Sequence, residues 1–367
     1  MKSINFICLL FLIFYSCNNE LPIDNSNGNN DVPDDTIYIG GHFTIIGNQA
    51  INNIAYWDGE NWNSLGSGII GSNVNIECMV FYKGELYVGG FIDPAGVVPS
   101  KNIVKWDGEK WTTVGEGING RVTSLVVYND ELYAGGWFSN AGGLQTENIA
   151  KWNGFVWSSV GEGFSDEVYT LCIYNDELYA GGWFTKNTFG YVNADNIARW
   201  NGLRWDSVGS GVSSGFSGGS WIKTFTVYNN ELYASGNFSR CGNLEVSNIA
   251  RWDNNIWQTV YDGISSKLTY ASAYYKNELH LSGEINSAGT NNTPYYTIGD
   301  GTKWNFNKFT FDGSPYCSFS FNNNLYIGGI FHTINGKLVN GICKWDGTSI
   351  GGFSSGVQGY VSSILPK

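Results

Sequence analysis

Apolar and polar positions alternate over short runs along most of this chain, which is the signature of half-buried strands. Val122-Thr-Ser-Leu-Val-Val-Tyr128 reads as one such strand, and Asn129-Asp130 as a two-residue turn that tolerates positive φ. Glu131-Leu-Tyr-Ala-Gly-Gly136 is the next strand. A longer connection leads to Asn148-Ile-Ala-Lys-Trp152, then a tight turn at Asn153-Gly154, then Val156-Trp-Ser-Ser-Val160. The pattern predicts a four-stranded antiparallel meander.

The meander recurs. Its second strand is marked at Tyr38, Tyr87, Tyr133, Tyr179, Tyr233, His280 and Tyr326, at spacings of 49, 46, 46, 54, 47 and 46 residues. Four-stranded units repeated at this period stack radially as the blades of a β-propeller. The expected fold is therefore all-β: a seven-bladed β-propeller over residues 36–367. The first copy begins at its second strand, Thr36 to Gly41, and the chain ends on Tyr360-Val-Ser-Ser-Ile-Leu365, which resembles a first strand. The C-terminal strand is thus expected to complete the first blade and remove two open sheet edges. Short turns fall at one end of the blades and the longer connections at the other, where binding usually resides.

Gly-Gly after a hydrophobic strand, followed by an aromatic pair, resembles the kelch repeat of galactose-oxidase-type propellers over roughly residues 36–367. Trp57, Trp106, Trp152, Trp200, Trp252 and Trp345 stand where a kelch motif has Tyr, and a second Trp follows at Trp62, Trp111, Trp157, Trp205, Trp257 and Trp304. Residues required in nearly every blade are packing elements, and the Gly-Gly pairs are a backbone device that permits a bulge or a close approach. A galactose-oxidase-like copper site would need two His, two Tyr and a cross-linking Cys. The three histidines His42, His280 and His332 form no such motif. A sialidase would need an arginine cluster and Asp-boxes, and the chain has only five Arg. The resemblance implies the fold and leaves the activity open.

Composition narrows the picture. The chain has 367 residues, 16% of them aromatic, with 20 Lys and Arg against 32 Asp and Glu and a net charge of −12. Without a basic cluster, nucleic acid is not an expected partner. No cofactor is implied, and calcium is the weaker reading of the acidic surface. Apart from Cys8 and Cys17 five cysteines remain, an odd number that suits buried core positions better than a disulfide framework.

The leader carries an address. Lys2 precedes the short apolar run Ile4 to Tyr15, and Ser16-Cys17 closes it, so residues 1–16 read as a cleaved signal. Phe14-Tyr15-Ser16-Cys17 resembles the lipobox of bacterial lipoproteins, which implies lipidation of Cys17. Residues 17–35 are polar and turn-forming and read as a flexible tether. Asn18 in place of an aspartate implies, by the same resemblance, an outer-membrane lipoprotein facing the periplasm or the cell surface. The membrane contact is then the lipid anchor alone, on a monomer.

Departures from the repeat are the candidate site. Trp137 and Trp183 directly follow Gly-Gly in neighbouring blades, and Trp221 lies in the longest connection between copies. Phe189 and Tyr191 belong to the insertion 186–193. These aromatics suit sugar faces or peptide side chains, so a glycan or envelope protein is the expected partner. Glu116 and Glu162, each within Val-Gly-Glu-Gly, are candidate ligand contacts, with Asp166, Glu167, Asp262 and Asp312 on equivalent connections. No catalytic residue and no metal ligand is assigned. A binding module is the leading expectation, ahead of an exported carbohydrate-active enzyme using the loop carboxylates and a purely structural scaffold.

Overall fold

The computed structural model describes residues 36–71, 73–92, 101–185, 194–214, 219–253, 255–288, 295–305, 308–353 and 356–367. Residues 1–35, which include the expected signal, tether and Cys17, lie outside the described residues, as do Phe189 and Tyr191. Among those described there is no helix.

The strands form six four-stranded meanders and a first sheet in which Val357–Pro366 joins Ile37–Ile46, Ile54–Trp57 and Trp62–Ser64. The two-residue turns come out as the sequence predicts, with Asn129 and Asp130 at φ 50 and 59. Each sheet has an inner strand: Val357–Pro366, Asn75–Tyr82, Arg121–Tyr128, Val168–Tyr174, Trp221–Tyr228, Ile264–Tyr275 and Ser314–Phe321. Each inner strand packs against that of the next sheet, and Ser314–Phe321 packs against Val357–Pro366, which in turn meets Asn75–Tyr82. Sheets arranged radially around an axis in this way make a β-propeller. Trp221, expected in a connection, is instead the first residue of its inner strand.

The tryptophan columns tie neighbouring sheets together. Trp111, Trp157, Trp205 and Trp257 donate their indole N–H to the carbonyls of Leu65, Val114, Val160 and Val208 in the preceding sheet, at 2.9, 3.0, 3.0 and 3.3 Å. Tyr82, Tyr128, Tyr174 and Tyr275 reach the other way, to carbonyls of the following sheet's turn at 2.8–3.0 Å. A buried Asn in the long connection pins that loop. Asn148, for instance, accepts from Phe138 N–H and donates to Phe164 O.

The Gly-Gly pair shapes the inner strand. A Cβ on the first glycine would run into the next sheet: at Gly89 it would lie 2.7 Å from Val122 Cγ1. A Cβ on the second would strike the inner strand's own carbonyl, 2.1 Å from Asn75 O at Gly90. The second place is glycine in every sheet, whereas the first is Ser235 or Ser282 in two of them, so it is the second glycine's missing Cβ that lets the inner strand bulge opposite the pair. Every inner strand carries this register shift, and the extra residue is Ser362, Glu77, Thr123, Tyr169, Lys223, Tyr270 or Tyr316. A bulge re-aims the side chain it carries.

Candidate functional site: the axial funnel

All seven bulge residues line one polar cavity of about 570 Å³ on the axis, joined by neighbours on the same inner strands such as Asn75, Arg121 and Tyr360. The volume falls in the range of small-molecule sites, roughly 300–1,000 Å³. In five of the seven inner strands the bulge is the second or third residue, which sets this part of the cavity toward the long-connection end of the sheets, and the cavity is called the funnel below.

One arc of the funnel is charged. Arg121 Nε donates to Glu77 Oε1 at 2.6 Å, and its Nη1 lies 3.5 Å from Glu167 Oε1. Asn75 supports Glu77 from 2.9 Å. Burial raises the pKa of Glu167 against the opposing pull of Arg121. Its Oε1 is buried without a hydrogen-bond donor. Lys223 Nζ stands 4.5 Å over the Tyr169 ring. Burial lowers its pKa, and Glu77 pulls the other way.

The opposite arc is aromatic. Tyr270 meets Tyr316 edge-on with ring centres 5.0 Å apart, and Tyr316 meets Tyr360 at 5.6 Å. The Tyr270 hydroxyl donates to Glu284 at 3.3 Å. Burial pushes the Tyr270 phenol up to about 12, so it stays a neutral donor at ordinary pH. The funnel thus offers charge on one side and flat phenol surfaces on the other.

The residues singled out in the sequence fall around this funnel unevenly. Trp137 pairs across the strand with Arg121 and is 65% exposed. The Trp183 N–H donates to the Glu167 carbonyl at 2.8 Å, and the Trp183 ring lies 6.1 Å from that of Trp221. Trp183 and Trp221 come together at the rim, with Trp137 on the neighbouring sheet. Glu116 and Glu162 are exposed, in turns that follow the outermost strands Trp111–Thr113 and Trp157–Ser159. His42 hydrogen-bonds to Val74 O, while His332 is exposed. Among the described residues no group of three or more His, Cys, Asp or Glu is arranged to hold a metal ion.

The bulge ring itself escapes the sequence reading, although a signal exists. Glu77, Thr123, Tyr169, Lys223, Tyr270 and Tyr316 each stand ten residues before the strand marker of their copy. The position is fixed while its chemistry changes in nearly every copy.

No family model matches the chain, and no curated protein does. Among solved structures, the extracellular domain of a one-component system from B. thetaiotaomicron is similar at 11% identity and a TM-score of 0.55. The match covers 85% of this chain and 39% of that one, so this chain spans about two-fifths of its length. The computationally designed Ika8 protein is similar at 13% identity and a TM-score of 0.50, over 87% of this chain and 90% of the design. The WD40 β-propeller domain of Doa1 aligns at 11% identity with a TM-score of 0.45, over 86% and 88%. At these identities the likeness is one of fold.

Proposed function

We propose that this protein is a closed seven-bladed propeller serving as a cell-envelope binding module, held in the outer membrane by a lipid on Cys17. Its ligand (a glycan, a peptide or part of a partner protein) enters the axial funnel from the long-connection face. One observation carries the reading. Seven equivalent bulges keep one backbone geometry yet present Ser, Glu, Thr, Tyr, Lys, Tyr and Tyr to a common cavity. A packing role would repeat its residue, as the Trp columns do; a recognition role diversifies it. The inner-strand contacts and the pairing of Val357–Pro366 with Ile37–Ile46 support the closed ring. Similarity in fold to the extracellular domain of a one-component system is compatible with binding. The loop-carboxylate enzyme has less support, because Glu116 and Glu162 are exposed on turns of separate sheets.

The test is binding on glycan and peptide arrays. Tyr316→Ala should weaken the wild-type hit by about 2- to 12-fold, since stacking on one aromatic is worth about 0.5–1.5 kcal/mol and each 1.4 kcal/mol is tenfold. Glu116→Gln with Glu162→Gln should leave it unchanged. Binding that survives Tyr316→Ala but disappears on changing Trp137, Trp183 and Trp221 together to Ala would move the site from funnel to rim. For the anchor, Cys17→Ser should abolish incorporation of a palmitate analogue and release the protein from the membrane fraction; a variant that stays lipidated refutes it.

A further inference from the structure

The end of the sheets away from the long connections carries a pattern that the repeat does not require. In every sheet a tight turn joins the third and fourth strands, and its first side chain, Asp or Asn, accepts the backbone N–H groups two and three residues on. Asn153 Oδ1 holds Phe155 N and Val156 N at 2.8 and 3.0 Å, and Asn201 Oδ1 holds Leu203 N and Arg204 N at 3.0 Å. The frame is constant and the residues it displays are not. Glu60-Asn61, Glu109-Lys110, Thr302-Lys303 and Thr348-Ser349 form the tip in four copies. In three consecutive copies the tip is Phe155-Val156, Leu203-Arg204 and Asn255-Ile256. Leu203 and Phe155, 88% and 84% exposed, are the most exposed large apolar side chains among the described residues, and Val156 and Ile256 are exposed as well. Asn153 and Asn201 also replace the Asp at the base of the other five turns, so the charge is gone beneath the two most exposed tips. Single apolar side chains on a surface are ordinary, but recurrence on neighbouring sheets marks a contact surface.

The place where the chain enters the fold says what that surface meets. Ile37 pairs with Trp57, next to the turn at Asp58, so Thr36 lies at the short-turn end of its sheet. Tyr38 meets Phe81 of the second sheet edge-on at 5.4 Å, and Tyr82, Tyr128 and Tyr174 bond to the short turns of the third, fourth and fifth sheets. The entry point and the apolar tips therefore share one face. In sequence, 18 residues separate Thr36 from Cys17. A polar coil of that length spans about 25 Å, similar to the radius of a domain of this size. An anchor on Cys17 thus holds the short-turn face nearest the bilayer, and the tips select which sheets touch it. Trp137 and Trp183 lie at the opposite end, beside the funnel.

Resting on the Cys17 reading above, we infer that the short-turn face is a membrane-contact surface. Phe155, Val156, Leu203 and Ile256 enter the interface of the bilayer that holds the anchor, and the long-connection face points away from it. The tip N–H groups are satisfied within the turns before they leave water, as an apolar phase requires. Arg204, beside Leu203 and 3.0 Å from Asp206, belongs at headgroup level. The exposed acids Asp130 and Asp176 stand on the turns between first and second strands, closer to the axis. Contact is therefore made by the outer rim of three sheets and rests on apolar area rather than on charge.

The test places an environment-sensitive dye on the lipidated full chain, reconstituted in vesicles of phosphatidylethanolamine and phosphatidylglycerol in equal parts. The dye at Leu203→Cys should shift to the blue and be quenched by brominated acyl chains. At Leu144→Cys, on a long connection, it should report water, with the unsubstituted chain as blank. A second arm uses the Cys17→Ser chain, which lacks the anchor, in flotation with the same vesicles. Phe155→Thr, Val156→Ser, Leu203→Thr and Ile256→Ser together install the tip that Thr348-Ser349 already forms. They should lower partitioning at least about tenfold, the loss expected if the equivalent of one of the four side chains is fully buried in lipid. The loss should persist in high salt, and an unchanged melting temperature shows that the fold is intact. A dye at residue 203 that stays in water on a chain that is lipidated overturns this inference and leaves the anchor standing. Flotation that depends on the tips in a protein whose wild-type form takes up no palmitate analogue supports the tip contact and overturns the anchor. A dimer in sedimentation that the fourfold substitution dissolves, with no flotation, assigns the face to a second copy of the chain and overturns the membrane contact.

Discussion

At the scale of single residues, the repeat's consensus and its exceptions do different work. His280 replaces the marker tyrosine in the sixth sheet. It is fully buried against Tyr275, Tyr296 and Trp345, with Nδ1 on the Tyr296 hydroxyl at 2.9 Å and Nε2 unbonded. Burial, with the nearby Lys308 charge, lowers its pKa from 6.5 to about 3. The folded state thus resists protonation while the unfolded chain protonates near 6.5. The contribution is fully present above pH 6.5 and is lost as pH falls toward 3. The slope is about 1.4 kcal/mol per pH unit, so the loss reaches about 2 kcal/mol by pH 5. His280→Gln, which keeps a polar partner for Tyr296 but does not titrate, should lack this part of the acid loss. Urea denaturation of both proteins at pH 7 and pH 5 checks it; equal losses would show that His280 is not responsible.

At the scale of the element, the bulge connects a structural motif to the candidate site. The inner strand turns a side chain into the funnel because the second glycine of the pair yields space to a carbonyl. Gly90→Ala places a Cβ 2.1 Å from Asn75 O, so the bulge that presents Glu77 must move. A cost of about 1–3 kcal/mol is expected, in the range of overpacking. Gly351→Ala is the control, because its nearest neighbour would be 3.7 Å away. Its effect should be neutral or slightly stabilising, since alanine restricts the unfolded chain. Chemical denaturation of the pair decides it, and equal effects would remove the steric account. The element scale also explains what the sequence reading reached and what it missed. Strand order, tight turns and Trp columns follow from positions that repeat. Trp137 and Trp183 stood out because they break a visible column, and they flank the strand ends of Arg121 and Glu167. The bulge residues form a column of mixed chemistry, Tyr in three copies and Ser, Glu, Thr or Lys in the others, and the alternation rule puts a bulged residue on the wrong face. Only the three-dimensional register shows that Glu77 and Lys223 share a cavity.

At the scale of the whole molecule, the proposed ring of seven sheets needs ties between neighbouring sheets. Neighbouring inner strands are laced by side chains: Cys78 to Val122 O, Thr123 to Val168 O, Ser272 with Thr224 and Thr226, Cys317 to Val361 O and Ser362 to Ile76 O. The last two ties belong to the final strand, the one sequence-distant piece of its sheet. That strand pairs with Ile37–Ile46 along nine register positions and buries Val361, Ile364 and Leu365. Each of those side chains contributes about 1.5–3 kcal/mol by burial. Their combined contribution is comparable to the whole stability of a typical domain, about 5–15 kcal/mol. Deleting residues 359–367 should therefore open the ring rather than fray an end. The expected result is a lower, broadened melting transition and rapid proteolysis beginning in the first and seventh sheets, whose facing edges lose their cover. A synthetic peptide spanning 357–367, added in excess, should restore part of the lost melting temperature by occupying the vacated edge. A truncated chain with the wild-type melting temperature and protease resistance would mean that the first sheet is stable on three strands and that the proposed closure contributes nothing.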